Sequence, residues 1–290
     1  MSHLVKFESK FCSLVLLFLV SLTLGNINCT TFEQDTNLTL EQKELLDLFR
    51  SRVADQLPEE YMKKEIYLIK WLRTSKFKID LAEERLFRNL EWRKEQGMDS
   101  IHYEDWSDMW NEDWHYFTEG RDKLGRPYLL IEVKNADTRK AVLQGKAQRM
   151  LRFFDKMMDQ FCGLVRESGE RYGNMTRGII LTNLEGFNPL QHACLRCIPF
   201  LLRPAVGYAD HFPECVDKLV FVKSPKSVEQ VLDLGRPFLP EADRNMIHIY
   251  GRNKKVWTEG LRKDFEINQL PTTLGGTRVF KGLGKDVQDF

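Results

Sequence analysis

The sequence has almost no excess of either charge. Its 290 residues carry 43 Lys and Arg against 42 Asp and Glu, so nothing in the bulk composition draws the chain to nucleic acid or to an anionic surface. It also lacks the short patterns that gather reactive groups: no glycine-framed serine elbow, phosphate loop, dinucleotide fingerprint or HExxH pair occurs. His102, His115, His192, His211 and His248 are scattered and read as surface or satisfied core residues. The expectation is therefore a protein that is not an enzyme, with no catalytic residue and no cofactor. No internal repeat or low-complexity linker divides the chain. Beyond residue 25 no apolar run approaches the roughly 20 residues that cross a bilayer.

The first 25 residues are unlike the rest. Lys6 and Lys10 flank Glu8, and FCSLVLLFLVSLTLG then runs from Phe11 to Gly25 without a charge. An apolar run this short, followed by small and polar residues, reads as a secretory signal peptide at 1–25, with cleavage after Gly25 or after Cys29. Secretion or delivery to a secretory lumen follows, and an uncleaved signal acting as a membrane anchor is the alternative. Asn28, Asn37 and Asn174 each begin an Asn-x-Thr acceptor. Asn37 and Asn174 are the glycosylation candidates, because Asn28 depends on where the signal is cut. Of six cysteines, Cys12 leaves with the signal and Cys29 can do so, which leaves Cys162, Cys194, Cys197 and Cys215. Four cysteines allow three pairings, and spacing does not choose among them.

From Thr39 the pattern is helical. Thr39 and Gln42 form a capping box ahead of Leu45, Leu46, Leu48, Phe49 and Val53, and Pro58 ends the run. Further helices are expected from Glu60 to Arg73 and from Asp80 to Gln96, the latter closed by Gly97. After residue 115 the grammar changes to strands separated by helices: a strand from Tyr128 to Val133, a long amphipathic helix from about Arg139 to Tyr172, a strand in RGIILTNLEGF, and another in MIHIYG. This order predicts a helical lobe at 36–115, an α/β lobe with a mostly parallel sheet at 116–277, and a short tail at 278–290.

The stretch KLVFVKSPKSVEQVLDLGRPFLP, residues 218–240, changes period halfway. Leu219 to Val222 suit a strand buried on both faces. Ser227 is placed to cap a following helix, whose apolar residues are Val228, Val231, Leu232, Leu234, Phe238 and Leu239.

Taken in order, YLIKWLRTSKFKIDLAEERLFRNLEWRKEQGMD, DKLGRPYLLIE, ILTNLEGFN, FPECVDKLVFVKSP, RPFLP and LPTTLGG resemble successive landmarks of the CRAL-TRIO lipid-binding family. The resemblance implies an α/β fold whose sheet floors an apolar lipid pocket, with residues 228–239 as the mobile gate helix over it. It also implies one bound hydrophobic small molecule or lipid, transient contact with a membrane surface and no nucleic-acid partner; a monomer is expected. Around the headgroup it points to Ser75, Lys76, Glu214, Gln230, Asp233 and Arg236. Ser75 stands where phosphatidylinositol-binding members carry Arg, and Asp233 where they carry Lys, whereas Lys76 and Glu214 match. Two cations fewer and one carboxylate more disfavour a partly desolvated anionic phosphate, so phosphatidylinositol is not the expected guest.

Two rival readings remain. Cys194-x-x-Cys197 with His211-x-x-x-Cys215 copies zinc spacing, but its setting is apolar and inside the family match, so no metal is expected; as a redox centre the Cys-x-x-Cys lacks the strand-to-helix setting. A scaffold or lipid sensor without transfer activity is the other.

Overall fold

The computed structural model describes residues 32–281 apart from 112–113, 198, 201–206, 209 and 236–244, and at 34 and 231–235 it describes the backbone alone. The signal segment, Asn28, Arg236, Phe238 and Leu239 lie outside the described residues, as do the side chains of Val231, Leu232, Asp233 and Leu234.

A short helix α1 (Phe32–Thr36) precedes α2 (Leu40–Val53), α3 (Glu65–Thr74) and α4 (Ile79–Glu95). The capping box forms: Gln42 N donates to Thr39 Oγ1 at 3.2 Å, and Thr39 N donates to Gln42 Oε1 at 3.1 Å. Such a cap contributes about 1 kcal/mol. The apolar stripes meet in one core, with Leu46, Phe49, Leu68, Leu72 and Leu86 fully buried. The second expected helix is interrupted. Glu60–Lys63 form a single 3-10 turn, and the α-helix restarts at Glu65.

Next come α5 (Ser107–Asn111) and a five-stranded sheet of β1 (Tyr116–Phe117), β2 (Tyr128–Glu132), β3 (Gly178–Asn183), β4 (Val216–Ser224) and β5 (Ile247–Gly251) in the order β1-β2-β3-β4-β5. Only β1 is antiparallel to its neighbour. The crossovers carry α6 (Thr138–Leu143), α7 (Ala147–Tyr172), α8 (Pro189–His192) and α9 (Lys226–Gly235), and α10 (Lys254–Asp264) follows the last strand. The single helix expected from 139 to 172 is two helices. Gly145 between them has φ 74°, a conformation that costs glycine little and would have strained a residue with a Cβ.

Parallel register sorts the side chains into two faces. One carries Tyr128, Leu130, Ile179, Leu181, Val220 and Val222, all buried against Trp257 and Leu261 of α10 and Phe265. The other carries Leu129, Ile180, Leu219 and Ile247 in one row and Ile131, Thr182, Phe221 and Ile249 in the next. The α7 side chains Met150, Phe153, Met157 and Phe161 cover the β2 end of that second face.

Two disulfides lock the lobe. Cys162 of α7 bonds Cys215 just before β4, and Cys194 bonds Cys197 in the loop after α8.

Candidate ligand site

Strand β4 corrects the sequence reading. It is not buried on both faces: Val220 and Val222 are buried, whereas Leu219 and Phe221 keep accessible surface. So do Ile180, Ile131 and Ile249 on the same side. Strands β3 and β4 lie inside the sheet, and the partly exposed Leu219 and Phe221 leave apolar surface accessible on its second face.

The first turn of α9 reaches over this surface. Its helix starts one residue before the expected Ser227 cap, at Lys226, with Pro225 O accepting from Val228 N at 3.0 Å and Glu229 N at 3.2 Å. Val228 packs on the cluster of Ile247, Leu219, Phe221 and Ile249. Glu229 lies so close to the end of β5 that a Cβ on Gly251 would sit 2.5 Å from its Oε1. Of the expected gate residues, Val228 is thus on the apolar face.

The headgroup candidates whose side chains are described do not converge. Ser75 is buried at the end of α3, and its Oγ finds no hydrogen-bond partner. Lys76 is exposed with φ 54°. Glu214 is buried before β4, whereas Gln230 is exposed on α9, after it. The nine residues of β4 span about 30 Å at the usual rise, so the two lie beyond opposite ends of one strand.

Glu214 belongs to a different constellation. Its carboxylate accepts from Arg73 Nε at 2.8 Å and pairs with Arg73 Nη2 at 2.6 Å and Arg177 Nη2 at 3.3 Å. Arg177 also grips Asp35, and Arg73 Nη1 donates to the Asp35 carbonyl at 2.7 Å. Lys70 completes the group, donating from Nζ to Thr176 O at 2.8 Å. Burial pushes its pKa down to about 8; Glu214 and Asp35 oppose that shift, while Arg177 and Arg73 add to it. Sequence reasoning missed Lys70, Arg73, Arg177 and Asp35, since charged residues spread over 142 positions give no local signal. Lys70 and Thr176 open onto a cavity of about 670 Å³ between the helical lobe and α7.

The zinc arrangement does not form. Its three cysteines are used in the two disulfides, Cys194 with Cys197 and Cys215 with Cys162, and His211 stacks on Trp92 with ring centroids 3.8 Å apart while its Nδ1 meets Asn89 Oδ1. Lys156 is a second buried amine, donating to the Tyr116 hydroxyl at 2.7 Å and to Gln160 Oε1 at 3.2 Å. Desolvation lowers its pKa to about 8.

The CRAL/TRIO domain model matches residues 111–276, the stretch that holds all five strands. The chain belongs to the CRAL/TRIO domain family. Its domains bind hydrophobic ligands and are generally non-catalytic. Two mosquito relatives are similar: "Protein real-time" of Anopheles gambiae, 25% identical over 215 residues covering 72% of this chain and 31% of the relative, and its Aedes aegypti namesake, 23% identical over 243 residues covering 82% and 37%. The chain thus spans about a third of these relatives' length. The crystal structure of Sfh5 shares the fold, with a TM-score of 0.59 at 14% identity over 78% of this chain and 85% of that one.

Proposed function

We propose that this CRAL/TRIO domain holds one lipid-like molecule between the open sheet face and α9, and carries it between membranes outside the cytosol. The observation that carries the reading is the contrast between the two sheet faces. Val220 and Val222 are sealed by α10, whereas Leu219 and Phe221, their neighbours on the same strand, are only half-buried beneath α9. Apolar surface held open at the centre of a sheet is unfavourable unless something apolar fills it. A chain of about sixteen carbons gains ~12 kcal/mol on leaving water, at roughly 0.8 kcal/mol per methylene. A bilayer offers the same gain, so only an enclosed site competes with it.

The cationic crevice at the carboxyl edge of the sheet supports membrane contact. Lys223, Arg252, Lys254 and Glu185 border it, close to the point where α9 leaves β4; Glu185 pairs with Lys223, so the excess positive charge comes from Arg252 and Lys254. The two disulfides and the exposure of Asn37 and Asn174 support an oxidising, glycosylating compartment. Phosphatidylinositol remains disfavoured, because Ser75 and Asp233 stand where the members that hold it carry Arg and Lys.

The test is to purify the secreted protein, extract it and identify what co-purifies by mass spectrometry, then to measure transfer between vesicles with and without phosphatidylserine. One lipid equivalent and faster transfer from the anionic vesicles are expected. A ligand-free protein that takes up nothing from either vesicle sinks the carrier role; a bound lipid that never transfers makes it a sensor.

A further inference from the structure

We propose that the cavity between the helical lobe and α7 is a second binding site, for a small aromatic molecule bearing one carboxylate or phosphate, with its anionic group set against Lys70. This goes beyond the lipid site, which lies on the open face of the sheet.

The argument begins with charge. Lys70, Arg73 and Arg177 make three cations, and Asp35 and Glu214 make two carboxylates. Both carboxylates are engaged by the arginines: Asp35 by Arg177 at 2.8 and 2.9 Å, Glu214 by Arg73 at 2.6 and 2.8 Å. Among the described residues, the one hydrogen bond from Lys70 Nζ goes to a neutral carbonyl, Thr176 O. An ammonium has three donors. One cation of the group therefore has no anion of its own, and it is the one that faces the cavity.

The other carboxylates on the cavity wall are not available to it. Asp159 is held by Arg93 at 2.7 Å and His102 at 2.9 Å, Asp99 by Arg93 at 3.2 Å, and Glu170 by Lys64 at 2.9 Å. Glu59 is exposed at the rim. Arg166, the remaining wall cation, lies over the Tyr61 ring at 3.8 Å.

The wall beside Lys70 is aromatic. Tyr61 and Tyr67 are 5.5 Å apart edge to face, and Tyr67 and Trp71 are 6.2 Å apart. Helical spacing from Tyr67 through Lys70 to Trp71 puts rings and ammonium on one side of α3. Rings beside a desolvated cation suit a flat apolar body with an anion at one end. The volume, about 670 Å³, lies within the range of sites that hold drug-sized ligands.

The experiment uses the mature protein with its lipid in place, titrated by calorimetry with naphthalene-1-acetate, 1-naphthyl phosphate, naphthalene-1-ethanol and inorganic phosphate. At least one of the two naphthyl anions is expected to bind at one equivalent without releasing lipid, and which one binds tells carboxylate from phosphate recognition. The neutral alcohol is expected to bind at least about tenfold more weakly, and Lys70→Met to lose at least about tenfold where Lys70→Arg loses less. Ile66→Trp, which fills the cavity without altering the charge cluster, should abolish binding and stands in if Lys70→Met fails to fold. Equal binding of alcohol and anions, inorganic phosphate binding as tightly as the naphthyl anions, displacement of the lipid, or no binding overturns the proposal. Lipid extraction reads the sheet face independently, so failure here leaves the carrier reading standing.

Discussion

Arg177, one residue before β3, forks onto Asp35 of α1, donating from Nε at 2.9 Å and from Nη2 at 2.8 Å across 142 positions. Both residues are buried. The pair fixes α1 to the sheet, with Thr176 Oγ1 adding a further bond to the same carboxylate. Removing one partner leaves the other buried charge under-compensated, since Glu214, 3.3 Å from Arg177 Nη2, is already engaged by Arg73. Asp35→Ala is expected to destabilise by about 3–5 kcal/mol, measured by urea unfolding. Pairing it with Arg177→Met should recover part of that loss; a double variant as unstable as the sum of the singles would refute the coupling.

Two desolvated lysines set a pH dependence. Lys70 and Lys156 have folded pKa values of about 8 against an ordinary 10.5. Between those values the unfolded chain holds more protons than the folded one, so stability rises with pH across the interval. The tyrosines work the other way: burial raises Tyr67, Tyr116 and Tyr128 well above 10, which lowers stability once free tyrosine ionises. Melting temperature should therefore climb from pH 8 to pH 10. Lys70→Met and Lys156→Met should each flatten the climb, and a profile flat in the native protein would show that these amines are not desolvated.

Enlarged side chains should separate the sheet faces. Leu219→Trp enters open space beneath α9 and is expected to change the melting temperature little while reducing co-purified lipid. Val220→Trp enters the sealed face against α10 and should cost about 1–3 kcal/mol or more. Equal destabilisation by the two would mean that the second face is packed solid.

The disulfides should differ in weight. Cys162 and Cys215 are 53 positions apart, Cys194 and Cys197 three. Loop-closure entropy assigns about 4 kcal/mol to the first bridge and about 2 to the second. Urea midpoints of Cys162→Ala/Cys215→Ala and Cys194→Ala/Cys197→Ala proteins check the order.

Much of this architecture was legible because periodicity and turn residues report local structure. Thr39 and Gln42 marked the start of α2, Gly97 the end of α4, and the apolar runs of β2, β3 and β5 stood out between helices. What periodicity missed was set at a distance. The stripe through 139–172 hid the turn at Gly145, since both helices show apolar faces to the same core. The run Leu219–Val222 looked uniformly buried because composition cannot tell a sealed face from an open one. Glu214 was singled out for a headgroup, yet its partners are arginines from α3 and from the loop before β3. Lys70 sits among apolar residues and reads as the polar edge of an amphipathic helix until the fold places it against a cavity.

The attachment of α9 has a mechanical consequence. Ser224 is the last residue of β4, paired with Gly251, and Lys226 already opens the helix. Between them stands Pro225, whose nitrogen has no hydrogen to give the ladder. Swinging the cap outward about that residue would break no rung joining β4 to its neighbours. In the carrier reading proposed above, a vessel hinged in this way empties and refills while its floorboards stay nailed down.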